Sequence, residues 1–165
     1  MNMPRPQQKS APSTECAFIC DVLQAESDAI TRIVDEISSN PTTLANWSKA
    51  IDILEACEGH VIFSGMGKSG LVGAKLSATF SSIGQPSHVV HPAEAVHGDL
   101  GSIKSNDVVI LMSYSGTTEE VLNLAAILRT DNVPRISISC SNDSPLAKLS
   151  DVHLATGEIT EACPL

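Results

Sequence analysis

The stretch HVIFSGMGKSG, residues 60–70, decides the fold of this chain. It begins with the apolar run His60–Ser64, which has the length and composition of a buried strand. The glycine-rich motif Gly65–Gly70 follows without a break and opens a stretch of helical spacing at about Ser69–Ser82. A strand that turns directly into a helix is typical of proteins with a parallel sheet.

The same alternation continues along the chain. Further apolar runs of strand length lie at Ser87–Val90, Asp107–Met112, Arg135–Cys140 and Val152–Ala155. Helical stretches follow at about Thr117–Thr130 and Pro145–Leu149, while the segment after the second run is predicted to be mostly loop. Continuous Val, Ile and Leu runs are typical of strands buried on both faces. The sequence therefore predicts an α/β fold, with a five-stranded parallel sheet between layers of helices.

Two helices are predicted before the first strand. Residues 1–12 are rich in proline and polar residues and lack the apolar core of a signal peptide, so they are predicted to be disordered. A first helix begins at Ser13 or Thr14 and stops before Pro41. A second helix follows and ends at Gly59. Residues 13–165 are predicted to form one domain.

Charge and composition restrict the partners of the protein. The chain of 165 residues carries 10 basic and 19 acidic side chains, for a net charge of -9. This balance opposes binding to nucleic acid or to an anionic membrane surface. An anionic metabolite can still bind, because helix N-termini and one lysine create a local positive field. No apolar run reaches membrane-spanning length, so a soluble protein is predicted.

The five cysteines are odd in number and lack the close pairs of a metal site or a secreted disulfide framework. A cytoplasmic protein is the simplest interpretation. Cys16 and Cys20 are four residues apart on the first helix and could form half of a metal site. Burial as small apolar side chains is the more frequent role of such cysteines, and we expect it here.

The motif Gly65–Gly70 predicts an anion site, because it presents backbone N–H groups and a positive helix end. It does not fit a dinucleotide site, since Val89, Val90 and His91 stand where an acidic residue is expected. It does not fit a Walker A loop either, because Ile62 replaces the first glycine. A tight turn without a ligand is the alternative.

A second loop, Ser113–Thr118, follows the third strand and carries four Ser and Thr hydroxyls in six residues. Hydroxyls and N–H groups together suit a phosphate. In a sheet of strand order 2-1-3-4-5, this loop and Gly65–Gly70 would face one crevice between strands one and three. At this point the strand order reverses and the following helices lie on opposite faces of the sheet. Helix capping is the alternative, although it accounts for one hydroxyl and not for four.

Histidines and carboxylates complete the candidate site. His91 and His97 lie in the polar loop after the second strand, but their spacing matches no metal motif, so no required metal is predicted. The remaining histidines, His60, His88 and His153, are interpreted as structural or surface residues. Glu120 and Glu161 follow the third and fifth strands and could supply the acid–base pair of an aldose–ketose isomerisation. A solvated glutamate is the alternative for each.

Three motifs carry a family resemblance: GMGKSG at 65–70, VHPAEAVHGDLG at 90–101 and EACPL at 161–165. Together with Ser113–Gly116, they resemble the arabinose-5-phosphate isomerases of the KpsF/GutQ/KdsD type, which are built on the sugar isomerase (SIS) domain. The resemblance covers the chain from about Ser13 to its end. It implies a flavodoxin-like doubly wound sheet, interconversion of ribulose 5-phosphate and arabinose 5-phosphate at the head of Kdo synthesis for lipopolysaccharide or capsule, and a homotetramer.

The resemblance also implies roles for single residues. Lys68, Glu120 and Glu161 would be catalytic, and no cofactor is implied. His91 would also be the place where zinc could bind, without being required. The substrate-binding residues would come from both loops and from the sugar pocket, namely Gly67, Ser69, Gly84, Gln85, His91, His97, Ser113, Ser115, Thr117 and Thr118.

Two departures from the family pattern affect these expectations. Thr117 follows the glycine of the hydroxyl loop where the family often has an acidic residue. The chain also ends at EACPL, before the last helices of the SIS domain, a further catalytic histidine and the paired CBS domains, so the domain is expected to be incomplete at its C-terminus. The alternatives are a sugar-phosphate-sensing SIS domain without catalysis, and another isomerase such as phosphoheptose isomerase.

Overall fold

A computed structural model describes residues 14–159 of the chain. The expectations for residues 1–12 and for Glu161 lie outside this range. The helices are α1 (Thr14–Ser39), α2 (Pro41–Glu55), α3 (Gly67–Ser82), α4 (Pro92–Ala95), α5 (Glu119–Thr130) and α6 (Pro145–Lys148). The strands are β1 (Val61–Gly65), β2 (Ser87–Val89), β3 (Val108–Met112), β4 (Arg135–Ser139) and β5 (Val152–Ala155).

The five strands form one parallel sheet in the order β2-β1-β3-β4-β5. This order confirms the predicted doubly wound α/β fold. Every residue of β1 and β3 is buried, as their continuous apolar composition predicts. Strand β2 is added on one side of β1, and the later strands are added on the other side. Strands β1 and β3 are therefore neighbours although β2 lies between them in sequence.

Apolar side chains of successive strand residues point to opposite faces and form two core clusters. On one face, Ile62, Val109 and Leu111 pack with α5, α6 and α4. On the other face, Val61, Phe63 and Ile110 pack with α2 and α3, and the Phe63 and Phe80 rings meet edge to face at 5.4 Å. The helices that follow β1 and β3 therefore lie on opposite sides of the sheet. This arrangement opens a crevice between the carboxyl ends of these two strands.

Helix boundaries differ from the prediction where the backbone is turned by special residues. Helix α3 begins at Gly67, two residues earlier than predicted, and α5 begins at Glu119, two residues later than predicted, because Thr118 is extended with a ψ of 118°. The segment after β2 was predicted to be mostly loop, yet it contains α4 and a 3-10 turn at Asp99–Ser102. Pro92 at the first helical position favours this short helix.

Helix α1 keeps one face away from the core. Ala29 is its buried residue, whereas several large apolar side chains are more than half exposed. Cys16 and Cys20 are also exposed, so the prediction that they are core residues is wrong for this chain. The exposed apolar set of α1 comprises Phe18, Ile19, Leu23, Ile30 and Val34. Within residues 14–159, no helix is both long and apolar enough to cross a membrane.

Candidate functional site

The candidate site is built on one strand pairing. Gly65, the last residue of β1, is in register with Met112, the last residue of β3. Parallel strands of a sheet lie about 4.8 Å apart, so the loops that leave these two residues start side by side. The motif Gly65–Gly70 and the hydroxyl loop Ser113–Thr118 therefore share one edge of the sheet, as the predicted strand order required.

Glycines allow the close approach of the first loop to β3. A Cβ on Gly65 would lie 2.8 Å from the Met112 carbonyl oxygen, and one on Gly70 would lie 2.5 Å from the Gly65 carbonyl oxygen. A side chain at Gly65 would push the end of β1 away from β3, and one at Gly70 would push the first turn of α3 away from the end of β1. These contacts explain why the motif needs glycines and hold the N–H groups of the first turn at the edge of the sheet.

Lys68 and Ser69 lie in the first turn of α3, where Lys68 is exposed and Ser69 is half-buried. Gly67 has a φ of 53°, and the N-cap residue Met66 supplies no side-chain cap. A positive helix end, a lysine and a hydroxyl are thus close together in sequence at the carboxyl edge. This combination suits an anionic ligand.

The hydroxyl loop divides its four side chains into two pairs. The buried Ser113 Oγ bonds Thr118 Oγ1 at 2.7 Å and accepts the Gly116 N–H at 3.2 Å. The exposed Ser115 Oγ accepts the Thr117 hydroxyl at 2.9 Å and the Thr117 N–H at 3.2 Å. Ser113 and Thr118 therefore brace the loop, whereas Ser115 and Thr117 present their hydroxyls outward.

The hydroxyl loop does not cap α5 with a side chain, which was the alternative role for its hydroxyls. Thr118 occupies the N-cap position of α5, but its side chain makes no cap hydrogen bond and turns to Ser113 instead.

Glu120 is half-buried in the first turn of α5, next to the exposed Glu119. Carboxylates are favoured at this position by the helix dipole. Glu120 and Lys68 therefore both lie in first turns that start at the same edge.

Tyr114 is a site residue that the sequence pattern did not predict. Its hydroxyl accepts the Ile159 N–H at 2.9 Å and donates to the Ile159 carbonyl at 3.1 Å. The hydroxyl loop is thereby tied to the segment after β5, two positions before Glu161 in sequence. The signal in the sequence was the single tyrosine of the chain, placed among the Ser and Thr hydroxyls of the loop.

The loop that contains His91 and His97 starts at the same edge of the sheet, at the end of β2, which is the neighbour of β1. Ser64 Oγ donates to the Val90 carbonyl at 2.7 Å and fixes the start of this loop against β1. His91 occupies the N-cap position of α4, and both His91 and His97 are exposed. Among the residues placed by the structure, no three His, Cys, Asp or Glu side chains form a group that could hold a metal ion. Zinc at His91 stays a prediction.

Gly84 and Gln85 are not brought to this edge. They lie in the turn between α3 and β2, where Gly84 has a φ of 93° and the Gln85 side chain donates to the Gly59 carbonyl at 3.2 Å. Gly59 precedes β1, so this turn is at the amino edge of the sheet, opposite the two loops. Within one chain these residues stay apart from the other predicted site residues.

A cavity of about 460 Å³ opens beside the loops, at the carboxyl ends of β4 and β5. It lies against α1 and α2 and is lined by Trp47, Cys140, His153 and Glu158 among others. Of the predicted site residues that fall within 14–159, none lines it. The phosphate-suited loops and this cavity are thus separate features, and the loops are the stronger candidate because they combine charge, hydroxyls and helix ends.

Two histidines, His153 and His88, have lowered pKa values. Burial lowers the pKa of His153, and the Ser141 carbonyl acts in the opposite direction. Burial also lowers the pKa of His88, with a further contribution from the nearby His60, while Asp107 opposes both. Burial therefore favours the neutral imidazole at both positions.

Comparison with known proteins adds a family match. Residues 54–163 match the SIS domain family. The chain is 39% identical over 144 residues to the arabinose 5-phosphate isomerase KdsD of Yersinia pestis, and the match covers 87% of this chain and 42% of the relative. It is 43% identical to the arabinose 5-phosphate isomerase KpsF of Escherichia coli, over 82% of this chain and 44% of the relative. The chain thus spans less than half the length of these relatives.

A solved structure agrees with the fold and the sequence match. The E. coli CFT073 protein c3406 in complex with arabinose 5-phosphate has a TM-score of 0.76 and 36% sequence identity to this chain. The similarity covers 93% of this chain and 79% of the other.

Proposed function

Because this chain belongs to the SIS domain family, we propose that it is part of an aldose–ketose isomerase that interconverts D-ribulose 5-phosphate and D-arabinose 5-phosphate. The observation that carries the proposal is the pairing of Gly65 with Met112, which starts the lysine-bearing loop and the hydroxyl loop side by side. The named activity of the two relatives and the sugar phosphate bound in the similar solved structure support this choice of substrate.

The phosphate of the substrate would be anchored by the hydroxyl loop. Ser115 and Thr117 present hydroxyls outward, and α5 begins directly after Thr118 without a side-chain cap. A phosphate at this position would receive hydroxyl and N–H donors together with the positive end of a helix. Such anchoring holds the far end of the sugar and leaves its carbonyl end for the catalytic groups.

Lys68, Glu120 and Glu161 would then act on the carbonyl end. Isomerisation moves a proton from C2 of the aldose to C1, through an enediol, while O1 and O2 exchange a proton. The carboxylates of Glu120 and Glu161 would transfer these protons. The Lys68 ammonium would stabilise the negative charge that develops on oxygen. These three side chains supply the acid, the base and the charge that the proposed steps require.

The protein would act as a homotetramer. The exposed apolar set of α1 supports this proposal, because single folded chains rarely leave such a row of large apolar side chains in water. Ile19, Leu23, Ile30 and Val34 are spaced by 4, 7 and 4 positions, so they share one face of the helix. A second copy of the same helix would bury this face.

The proposed reaction would supply arabinose 5-phosphate at the first step of Kdo synthesis, for lipopolysaccharide or capsule, in the cytoplasm. The acidic net charge of -9 fits a small anionic metabolite better than a polynucleotide as partner.

The test uses the complete protein with arabinose 5-phosphate in D2O. We expect formation of ribulose 5-phosphate, with deuterium entering C2 of the remaining aldose, because an enediol exchanges its proton with solvent. Unphosphorylated arabinose is the matched control and should neither bind in calorimetry nor react. Equal binding of the two sugars would show that the loops do not anchor phosphate. Tight binding of the sugar phosphate without turnover would identify a sensor and not an enzyme.

A further inference from the structure

A buried chain of hydrogen bonds runs behind the hydroxyl loop. His153 in β5 contacts Ser137 Oγ through Nδ1 at 2.8 Å and Ser139 Oγ through Nε2 at 3.2 Å. Ser139 Oγ lies 3.0 Å from Ser144 Oγ. All four side chains are less than one-tenth exposed. None of these four side chains takes part in the proposed reaction. Buried polar side chains that bond one another in a row are not explained by apolar packing.

The direction of each bond follows from the donors available. Ser139 has one hydroxyl proton, which it donates to the Ser141 carbonyl at 3.1 Å, so its oxygen accepts from its other two partners. His153 therefore carries its proton on Nε2 and accepts the Ser137 hydroxyl at Nδ1. Ser144 donates to Ser139 and accepts the Ala147 N–H at 3.1 Å. This neutral tautomer satisfies every bond of the chain.

The last member of the chain touches the hydroxyl loop. A Cβ on Gly116 would lie 2.7 Å from Ser144 Oγ and 3.1 Å from Ser139 Oγ. The Gly116 carbonyl accepts the Leu146 N–H at 3.1 Å, two residues beyond Ser144. The backbone of Gly116, with its φ of 65°, is therefore seated directly on the two serines. The two serine hydroxyls thus lie close behind the residue between Ser115 and Thr117.

We propose that His153 is a positioning residue, which holds Gly116 and the outward hydroxyls of the loop in place through Ser139 and Ser144. The inference deepens the proposed function, because it identifies what fixes the phosphate-binding loop from behind. The proposal separates the two serine neighbours of His153. Ser139 lies on the path to the loop, whereas Ser137 lies on the other side of the imidazole, although both are fully buried in β4.

This separation gives a matched test in the complete protein, with Ser139→Ala and Ser137→Ala. We measure the affinity for inorganic phosphate by calorimetry, KM and kcat with arabinose 5-phosphate, and hydrogen exchange of the Gly116 and Thr117 amides. Ser139→Ala should weaken phosphate binding and raise KM by up to about tenfold, which corresponds to one hydrogen bond. Its kcat should stay within about twofold, because uniform binding is lost. Ser137→Ala should have a clearly smaller effect on all three measurements, because the Nε2 bond from His153 to Ser139 remains.

A second pair of variants tests His153 itself. His153→Gln can place an amide donor where Nε2 donates now, so it should retain most of the affinity, while His153→Leu should lose it and speed exchange at Gly116.

Equal effects of the two serine variants, or unchanged exchange in Ser139→Ala, would overturn the proposal. If the wild-type protein neither binds nor converts the sugar phosphate, the proposed function fails. The exchange measurements still decide the positioning role in that case.

Discussion

Arg135 and Asp151 are joined by three hydrogen bonds, one of which runs from the Asp151 N–H to the Arg135 carbonyl at 3.0 Å. Asp151 Oδ1 accepts from the Arg135 guanidinium at 2.7 Å, and Oδ2 accepts the Arg135 backbone N–H at 2.8 Å. Three further guanidinium donors reach the carbonyls of Leu128, Val133 and Leu149. The arginine is 6% exposed, so a buried cation ties the end of α5 to the starts of β4 and β5.

Substitution of this carboxylate is expected to lower stability. Asp151→Asn removes the charge partner of a buried guanidinium, so the free energy of unfolding should fall by roughly 1–3 kcal/mol. Urea unfolding followed by circular dichroism measures the change. Asp52→Asn, on the exposed side of α2, is the matched control and should shift the midpoint little. Equal midpoints for both variants would show that the ion pair does not contribute to stability.

Lys68→Ala is expected to reduce turnover of arabinose 5-phosphate by roughly 10²-fold or more, because the ammonium stabilises developing charge. The exposed side chain is not part of the core, so the circular dichroism spectrum should stay normal. Lys75→Ala removes the same charge from the same helix, farther from the loop, and serves as the control. Full activity of a folded Lys68→Ala protein would remove this lysine from the mechanism.

Gly116→Ala is expected to disturb both fold and site. A side chain at a φ of 65° that also meets Ser144 should destabilise the protein by about 1–3 kcal/mol and weaken phosphate binding. Gly101→Ala is the control, since its Cβ position has no heavy atom within 4 Å apart from those of its neighbours in the chain. Thermal unfolding and phosphate calorimetry measure the two effects. A stable Gly116→Ala variant with normal affinity would contradict the close seating of the loop.

Stability should fall with decreasing pH below about 6.5. The pKa values of His153 and His88 are lowered in the folded protein, mainly by burial, so the unfolded chain binds more protons as the pH falls from 6.5 toward the lowered values. The folded state is therefore favoured fully above 6.5 and loses this contribution on acidification. Unfolding free energies from about pH 8 to about pH 5.5 measure the slope.

The His153→Gln variant should show a smaller slope over this window, whereas His97→Gln, at an exposed position, should change it little. The charged groups that share the cavity with His153 are Arg32, Glu36, Asp143 and Glu158. Neutral variants of these four identify any part of the slope that arises from them. An unchanged slope in both His153→Gln and His88→Gln would exclude the buried histidines as its source.

The apolar face of α1 should control the oligomeric state. Ile30→Glu places a charge at the centre of this face, where the side chain is 65% exposed in one chain, and should weaken association by at least about tenfold. Thr31→Glu adds the same charge one position away, off the apolar face. Analytical ultracentrifugation should show smaller species for Ile30→Glu alone. Identical masses for both variants would place the contact between copies elsewhere.

The sheet could be predicted from the sequence because β1 and β3 are buried on both faces and contain little but apolar residues. The site edge was equally predictable, since the glycine motif and the hydroxyl loop each end a strand. The position of Gln85 was not, because its role is to bond the Gly59 carbonyl at the amino edge, a contact between residues distant in sequence. The exposure of Cys16 was missed because an amphipathic pattern does not reveal whether its apolar face meets its own chain or another.

The pairing of Gly65 with Met112 also sets the order of events during synthesis. Strand β1 leaves the ribosome long before β3, and until β3 arrives the carboxyl end of β1 has no neighbour on that side. Joining them closes the segment between residues 65 and 112, so the contacts of the pair must offset the entropy of that closure. A nascent chain that ends before Met112 should therefore have no affinity for phosphate. Once the pair has formed, bound sugar phosphate would stabilise it by mass action, so the metabolite would favour completion of its own binding site.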